Sequence, residues 1–150
     1  MSERERKAPK AGPAKLGEPR PKRLQRRTPS RRSHGTVDYT LAKRALLRDL
    51  RTGMLSRLEV CDAHPDLLRA ARSLGMEATR PCPVCGERDL RLLAYVFADT
   101  LKHDNGRPWA VKDALRLAAR IQGSACYVVE VCTGCSWNHL SEAYLARHAV

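Results

Sequence analysis

The chain has 150 residues, 28 Lys and Arg against 16 Asp and Glu, and a formal net charge of +12. That length holds one ordinary domain, or two small ones with a tail, and no run of about 18 apolar residues is present to span a membrane. The N-terminus also lacks the apolar core of a secretory signal, so the expected location is the cytoplasm, where thiols stay reduced and available to metal.

The charge is uneven. Residues 1–35 carry 12 basic and 3 acidic side chains and five of the nine prolines, which leaves 16 basic and 13 acidic residues for 36–150. A Pro-, Gly- and Arg-rich stretch with so few apolar residues cannot offset its ordering entropy, so 1–35 is expected to be a disordered basic tail. Its paired arginines, Arg26 with Arg27 and Arg31 with Arg32, are candidate phosphate contacts of the salt-sensitive, sequence-independent kind. A merely solubilising tail is the alternative reading. The whole chain holds one Phe, two Trp and four Tyr, so its folded part has a thin aromatic core and gains from a metal staple.

From Thr36 the pattern turns helical, with Thr36 as cap and Tyr39, Ala42, Leu46 and Leu50 at three- and four-residue steps. Arg44, Arg48 and Arg51 share a second face, and Gly53 is placed to end the helix. Ser56 and Glu59 form a capping box that opens a short helix. Pro65 starts another that runs to Ser73, buries Leu67, Leu68, Ala71 and Leu74, and stops at Gly75. These elements make 36–76 a helical unit. Its outline matches a helix-turn-helix, but no helix carries a polar set suited to base edges. Cys61 reads as a small buried hydrophobe and His64 as a cap or an exposed residue, rather than as metal ligands.

Residues 77–150 are organised by two cysteine pairs, Cys82-Pro83-Val84-Cys85 and Cys132-Thr133-Gly134-Cys135, with 46 residues between them from Gly86 to Val131. Each C-x2-C turn presents two thiolates from one backbone corner, and four thiolates complete a structural Zn²⁺ site, with Gly86 and Gly134 supplying freedom to the turns. A disulfide pair and a redox C-x-x-C are the alternatives. The pattern occurs twice and is followed by strand-like sequence, which favours metal.

Leu90 to Ala98 reads as a strand leaving the first knuckle, followed by a polar turn over 99–106 that takes in His103. Pro108 starts a helix that buries Val111, Leu115, Ala118 and Ile121 and shows Lys112, Arg116 and Arg120 as a basic row beside Trp109. Ala125 to Val131 is a strand into the second knuckle, and Trp137 to Tyr144 a strand out of it. The expected fold is therefore α+β: a small N-terminal helical unit, then a three-stranded antiparallel zinc ribbon with an inserted helix. Cys126 lies six residues before Cys132, roughly 20 Å along an extended strand, and is expected in the core. His139 has two readings, an ordinary strand residue or a group near the metal.

Three blocks, SRLEVCDAHPDLLR from Ser56, RPCPVCG from Arg80 and YVVEVCTGCSWNHL from Tyr127, resemble a small uncharacterised actinobacterial family carrying a domain of unknown function. The resemblance implies a bacterial cytosolic protein with paired metal-type cysteines, and it brings no activity. The metal region is also similar to the zinc ribbons of transcription and translation machinery, where the ribbon is a docking surface.

With no Gly-rich phosphate loop, no Ser-His-Asp arrangement and no open metal position, the expected protein is not an enzyme. The leading expectation is a zinc protein that associates with nucleic acid or a nucleoprotein machine such as RNA polymerase or the ribosome. It uses Arg26, Arg27, Arg31, Arg32, Lys112, Arg116 and Arg120, while Cys82, Cys85, Cys132 and Cys135 hold the metal. The alternatives are a protein–protein adaptor working through the surface around Trp137, Asn138 and Tyr144, and a thiol redox sensor.

Overall fold

The computed structural model describes residues 34–146, which form an α+β fold on one antiparallel sheet. Elements follow in the order β1 (His34–Asp38), α1 (Thr40–Arg51), α2 (Arg57–Val60), α3 (Pro65–Leu74), β2 (Met76–Glu77), β3 (Leu90–Phe97), β4 (Pro108–Trp109), α4 (Val111–Arg120), β5 (Ala125–Cys132) and β6 (Asn138–Ala146). The strands lie in the order β1-β6-β5-β3-β2, and β4 also pairs with β3. The three strands expected from the sequence are its centre, β3, β5 and β6, and three shorter ones extend it.

β3 and β5 pair along their full length, from Leu90 opposite Cys132 to Phe97 opposite Ala125. Side chains alternate across them, so each strand buries both faces. Ala94, Val96, Cys126 and Val128 pack against α4 on one face. Leu93, Tyr95, Val129 and Val131 pack against Leu67, Leu68 and Ala71 of α3 on the other. Burying a leucine such as Leu93 completely stabilises by about 1.5–3 kcal/mol, so this three-layer stack is the main apolar store of the fold.

Several helix boundaries differ from the sequence reading. Thr36 is a strand residue opposite Tyr144, and the first helix starts at Thr40, whose N–H and hydroxyl donate to the Asp38 carboxylate. That short turn of Asp38 ends β1 and starts α1 together. Of the expected apolar stripe, Leu46 and Leu50 pack inward with Leu47, while Ala42 is exposed. The capping box forms as read, with the Glu59 carboxylate accepting from Ser56 N at 2.7 Å. His64 caps α3, its Nδ1 accepting from Asp66 N at 3.1 Å.

Pro108 does not begin a helix. With Trp109 it makes a two-residue bridge to Ala94 and Tyr95 on β3, a place where a residue without an N–H costs little. Trp109 then packs in the core beneath α4, with the Arg107 guanidinium 5.9 Å from its ring centroid. α4 buries Ala114 and Ala118, flanked by Val111 and Leu117; Leu115, expected inside, is 37% exposed. Two alanines in the contact row bring the helix close to the strands, and the bulkier leucine is turned aside.

A third apolar cluster sits at the end of the sheet where β3 begins and β5 ends. It joins Leu46, Leu47 and Leu50 of α1 and Val60 of α2 to Leu90, Trp137 and the four paired cysteines.

Candidate metal centre

The two knuckles are the same loop built twice. In the first, Cys82 N donates to Glu87 O at 2.8 Å and Gly86 N to Cys82 O at 2.9 Å; in the second, Cys132 N donates to Trp137 O at 2.8 Å and Ser136 N to Cys132 O at 3.0 Å. The residue after the second cysteine of each is left-handed, Gly86 at φ 76° and Ser136 at φ 70°. Gly134, expected to supply that freedom, does not have a left-handed φ, and a Cβ there would stand 2.9 Å from Asp89 Oδ2, the end of an exposed side chain that can move aside. Asp89 also ties the knuckles together, its carbonyl accepting from Thr133 N at 3.1 Å.

These loops bring four sulfurs to one point. The Sγ atoms of Cys82, Cys85, Cys132 and Cys135 all lie within 4.8 Å of one another. Cys82 to Cys135 and Cys85 to Cys132 are each 3.7 Å, far beyond a disulfide bond of about 2.05 Å. All four are free thiols. Four sulfurs this close are a fit for a metal ion. Burial pushes the Cys82 and Cys132 thiols up, whereas at Cys85 the effect of burial is outweighed by the Glu87 backbone N–H and the neighbouring thiols, which hold it below its ordinary value.

Two features around the four sulfurs were missed in the sequence. Cys61 Sγ lies 3.7 Å from Cys135 Sγ, outside the four-sulfur cluster but touching it. Arg57 lies one helical turn earlier, and the neighbouring Cys61 and Cys135 hold its guanidinium more firmly charged. The same linker clasps the second knuckle through Ala63 N to Ser136 O at 3.0 Å and Asn138 Nδ2 to Asp62 Oδ1 at 2.9 Å.

The second missed feature is Glu130, whose carboxylate has no exposed surface. Trp137 Nε1 donates to it at 3.0 Å, Lys43 Nζ at 3.1 Å, and the Arg80 guanidinium closes the set. Burial raises its pKa, but these three donors outweigh burial and hold it below the ordinary carboxylate value. The group joins α1, the link before the first knuckle, β5 and the second knuckle. A lone acid in the apolar run ACYVVEVC was its signal, since charged residues are rarely buried unless paired.

The other candidates fall elsewhere. The Nδ1 atom of His139 lies 2.6 Å from the Leu140 carbonyl, and its ring stacks on Trp137 with centroids 5.7 Å apart, so it is not among the clustered ligands. Cys126 is buried beneath α4, its thiol pushed up to about 11. Trp137 has no exposed surface and so takes no part in the expected docking surface around Trp137, Asn138 and Tyr144, where Asn138 and Tyr144 are half-buried. Lys112, Arg116 and Arg120 stand exposed along α4, with Arg116 3.7 Å from Asp113. Arg26, Arg27, Arg31 and Arg32 lie outside the described residues. Among the described residues, no helix is long and apolar enough to cross a membrane.

Residues 30–149 match a family of unknown function, DUF5318. The chain belongs to that family. Its relatives include uncharacterized proteins of Mycobacterium bovis and Mycobacterium tuberculosis, each 41% identical over 109 residues, which is 73% of this chain and 80% of the relative. No solved structure is a significant match. The actinobacterial resemblance carried by the three sequence blocks is thus a family membership, and it spans the helical part as well as both knuckles.

Proposed function

We propose that the protein is a non-enzymatic zinc protein, with a structural Zn²⁺ at the end of a ribbon-like arrangement of β3, β5 and β6, that associates with nucleic acid or a nucleoprotein machine such as RNA polymerase or the ribosome. The observation that carries the zinc reading is the 3.7 Å spacing of Cys82 from Cys135 and of Cys85 from Cys132. Zn²⁺ takes thiolates at about 2.3 Å, and the edge of that tetrahedron is about 3.8 Å. An all-thiolate donor set favours Zn²⁺ over Mg²⁺ or Ca²⁺. With four protein ligands the ion keeps no position for water, so its work is to hold the knuckles together.

The nucleic-acid reading rests on charge. The chain carries +12, most of it in residues 1–35, and Lys112, Arg116 and Arg120 add an exposed row. Contacts of this kind release counterions, so affinity for a duplex RNA should fall steeply with salt, and deleting 1–35 should remove most of that slope. The test pairs elemental analysis and Co²⁺ spectroscopy of the full chain with a salt titration on labelled duplex RNA and DNA. One tetrathiolate-bound ion per chain and a steep salt slope are expected; a metal-free folded protein would end the zinc reading, and salt-indifferent or absent binding the nucleic-acid one. A cytoplasmic location accords with six free cysteines.

A protein–protein adaptor is the second reading. One observation favours it: Leu41, Met54 and Leu58 are 76%, 77% and 85% exposed, and all three lie in the α1–α2 region.

A further inference from the structure

Helix α1 is twelve residues long and none of its residues is fully buried. One edge, with Leu46, rests on the metal end of the sheet. Another lines a groove of about 530 Å³ between the helix and the first knuckle, with Leu41, Leu47, Leu50 and Pro83 as its apolar lining and Arg44 and Arg51 along it. Arg48 also borders the groove, 3.8 Å from Asp49. Among the described residues, Arg44 and Arg51 form no ion pair. The groove therefore offers apolar area that water does not favour and two guanidinium groups without a direct ion-pair partner among the described residues, Arg44 also feeling the Asp38 carboxylate at longer range.

Those two properties select the occupant. The chain's own residues 1–35 carry 12 basic against 3 acidic side chains, so like charge disfavours them beside these arginines. A nucleic acid would satisfy the arginines, but the groove lining has leucines and a proline where base stacking calls for aromatic rings. We infer that the groove between α1 and the first knuckle docks an acidic, amphipathic segment of a partner protein, its apolar side chains seated on Leu41, Leu47 and Pro83 and its carboxylates meeting Arg44 and Arg51. Apolar anchors at helical spacing in a groove, with complementary charge at the rim, are a recurrent way of recognising a peptide. The inference goes beyond the nucleic-acid reading and does not depend on it, because the row through Arg116 takes no part.

The test uses the full-length, metal-loaded protein and a fluorescein-labelled synthetic peptide about four helical turns long, with leucines at i, i+3, i+4 and i+7 and glutamates on the remaining face. A scrambled peptide of the same composition and a labelled single-stranded DNA are the controls. The patterned peptide is expected to bind at least about tenfold more tightly than either control. Leu41→Asp alone, and Arg44→Glu with Arg51→Glu, should each weaken it by about tenfold or more, while Lys112→Glu with Arg116→Glu changes it by less than about twofold. All of these positions are exposed, so circular dichroism and metal content should hold in every variant.

Equal affinity for the scrambled peptide, tighter binding of the DNA, insensitivity to Leu41→Asp or no measurable binding of the patterned peptide would each overturn the inference. So would a self-association by sedimentation that Leu41→Asp abolishes, since the groove would then belong to a second copy of this chain. Failure of the RNA salt titration leaves these outcomes unchanged, so the two readings fail separately.

Discussion

At Glu130 a carboxylate with no exposed surface accepts from a tryptophan N–H, an ammonium and a guanidinium. Removing one partner of a buried ion pair leaves uncompensated charge, so Glu130→Ala should cost about 3–5 kcal/mol in chemical denaturation of the metal-loaded protein. The Glu130→Gln variant, which keeps an acceptor for Trp137, should cost less. Ser136 makes the opposite case. Its φ of 70° carries a left-handed penalty of about 1–2 kcal/mol, and glycine's extra chain entropy is about 0.5–1 kcal/mol. Ser136→Gly should therefore stabilise by about 0.5–1 kcal/mol with unchanged metal content, while Gly86→Ala at the matching position should destabilise. Neither role was read from the sequence, because a lone acid in an apolar run does not name its partners and a serine looks like a permissive loop residue.

At the scale of elements, the knuckles define which cysteines matter. Cys82→Ser and Cys135→Ser should abolish stoichiometric metal uptake, whereas Cys126→Ala, in the core beneath α4, should keep it at some cost in stability; elemental analysis and thermal melts distinguish the two. The strands β3, β5 and β6 were legible because long runs of β-branched and apolar residues bury both faces of β3 and β5. β1 was not. His-Gly-Thr-Val-Asp carries a glycine and an aspartate, both poor strand formers, around only two good ones, and its pairing is dictated by the edge of β6. There β6 carries an irregularity in its register to β5, and the Ser141 carbonyl is taken up by Tyr39 N at 3.1 Å, which turns the chain into α1. A one-sided signal such as the proline at 108 misled for the same reason: the choice between helix start and edge bridge was made by Tyr95 and Ala94, which are distant in sequence.

Across the molecule, the apolar store and the four-sulfur cluster lie in different places. α3 and α4 clamp the middle of β3 and β5, while the cysteines share their cluster with α1, α2 and Trp137 at one end. Chelating the metal should therefore loosen that end first. Amides of 82–89 and 132–138 are expected to gain hydrogen exchange, with those of Leu93–Val96 and of 126–129 still protected; uniform loss across both regions would mean a single cooperative unit. The four clustered cysteines were legible from spacing alone, because two tight turns are local. Cys61, Arg57 and Glu130 were not, because only the packed chain brings them beside Cys135 and Trp137.

The pairing of β1 with β6 also sets a timetable. During synthesis, β1 at 34–38 waits for β6 at 138–146 to emerge, and Cys82 and Cys85 wait for Cys132 and Cys135 over a shorter interval. Helices α1 and α3 can form locally in that time, but their leucines have no sheet end to cover and their neighbouring thiols have no complete ligand set. The nascent chain thus passes through a stage with thiols and bare leucines exposed together, and whatever shields those leucines, or supplies a metal to the four thiols, has to act around the emergence of β5 and β6.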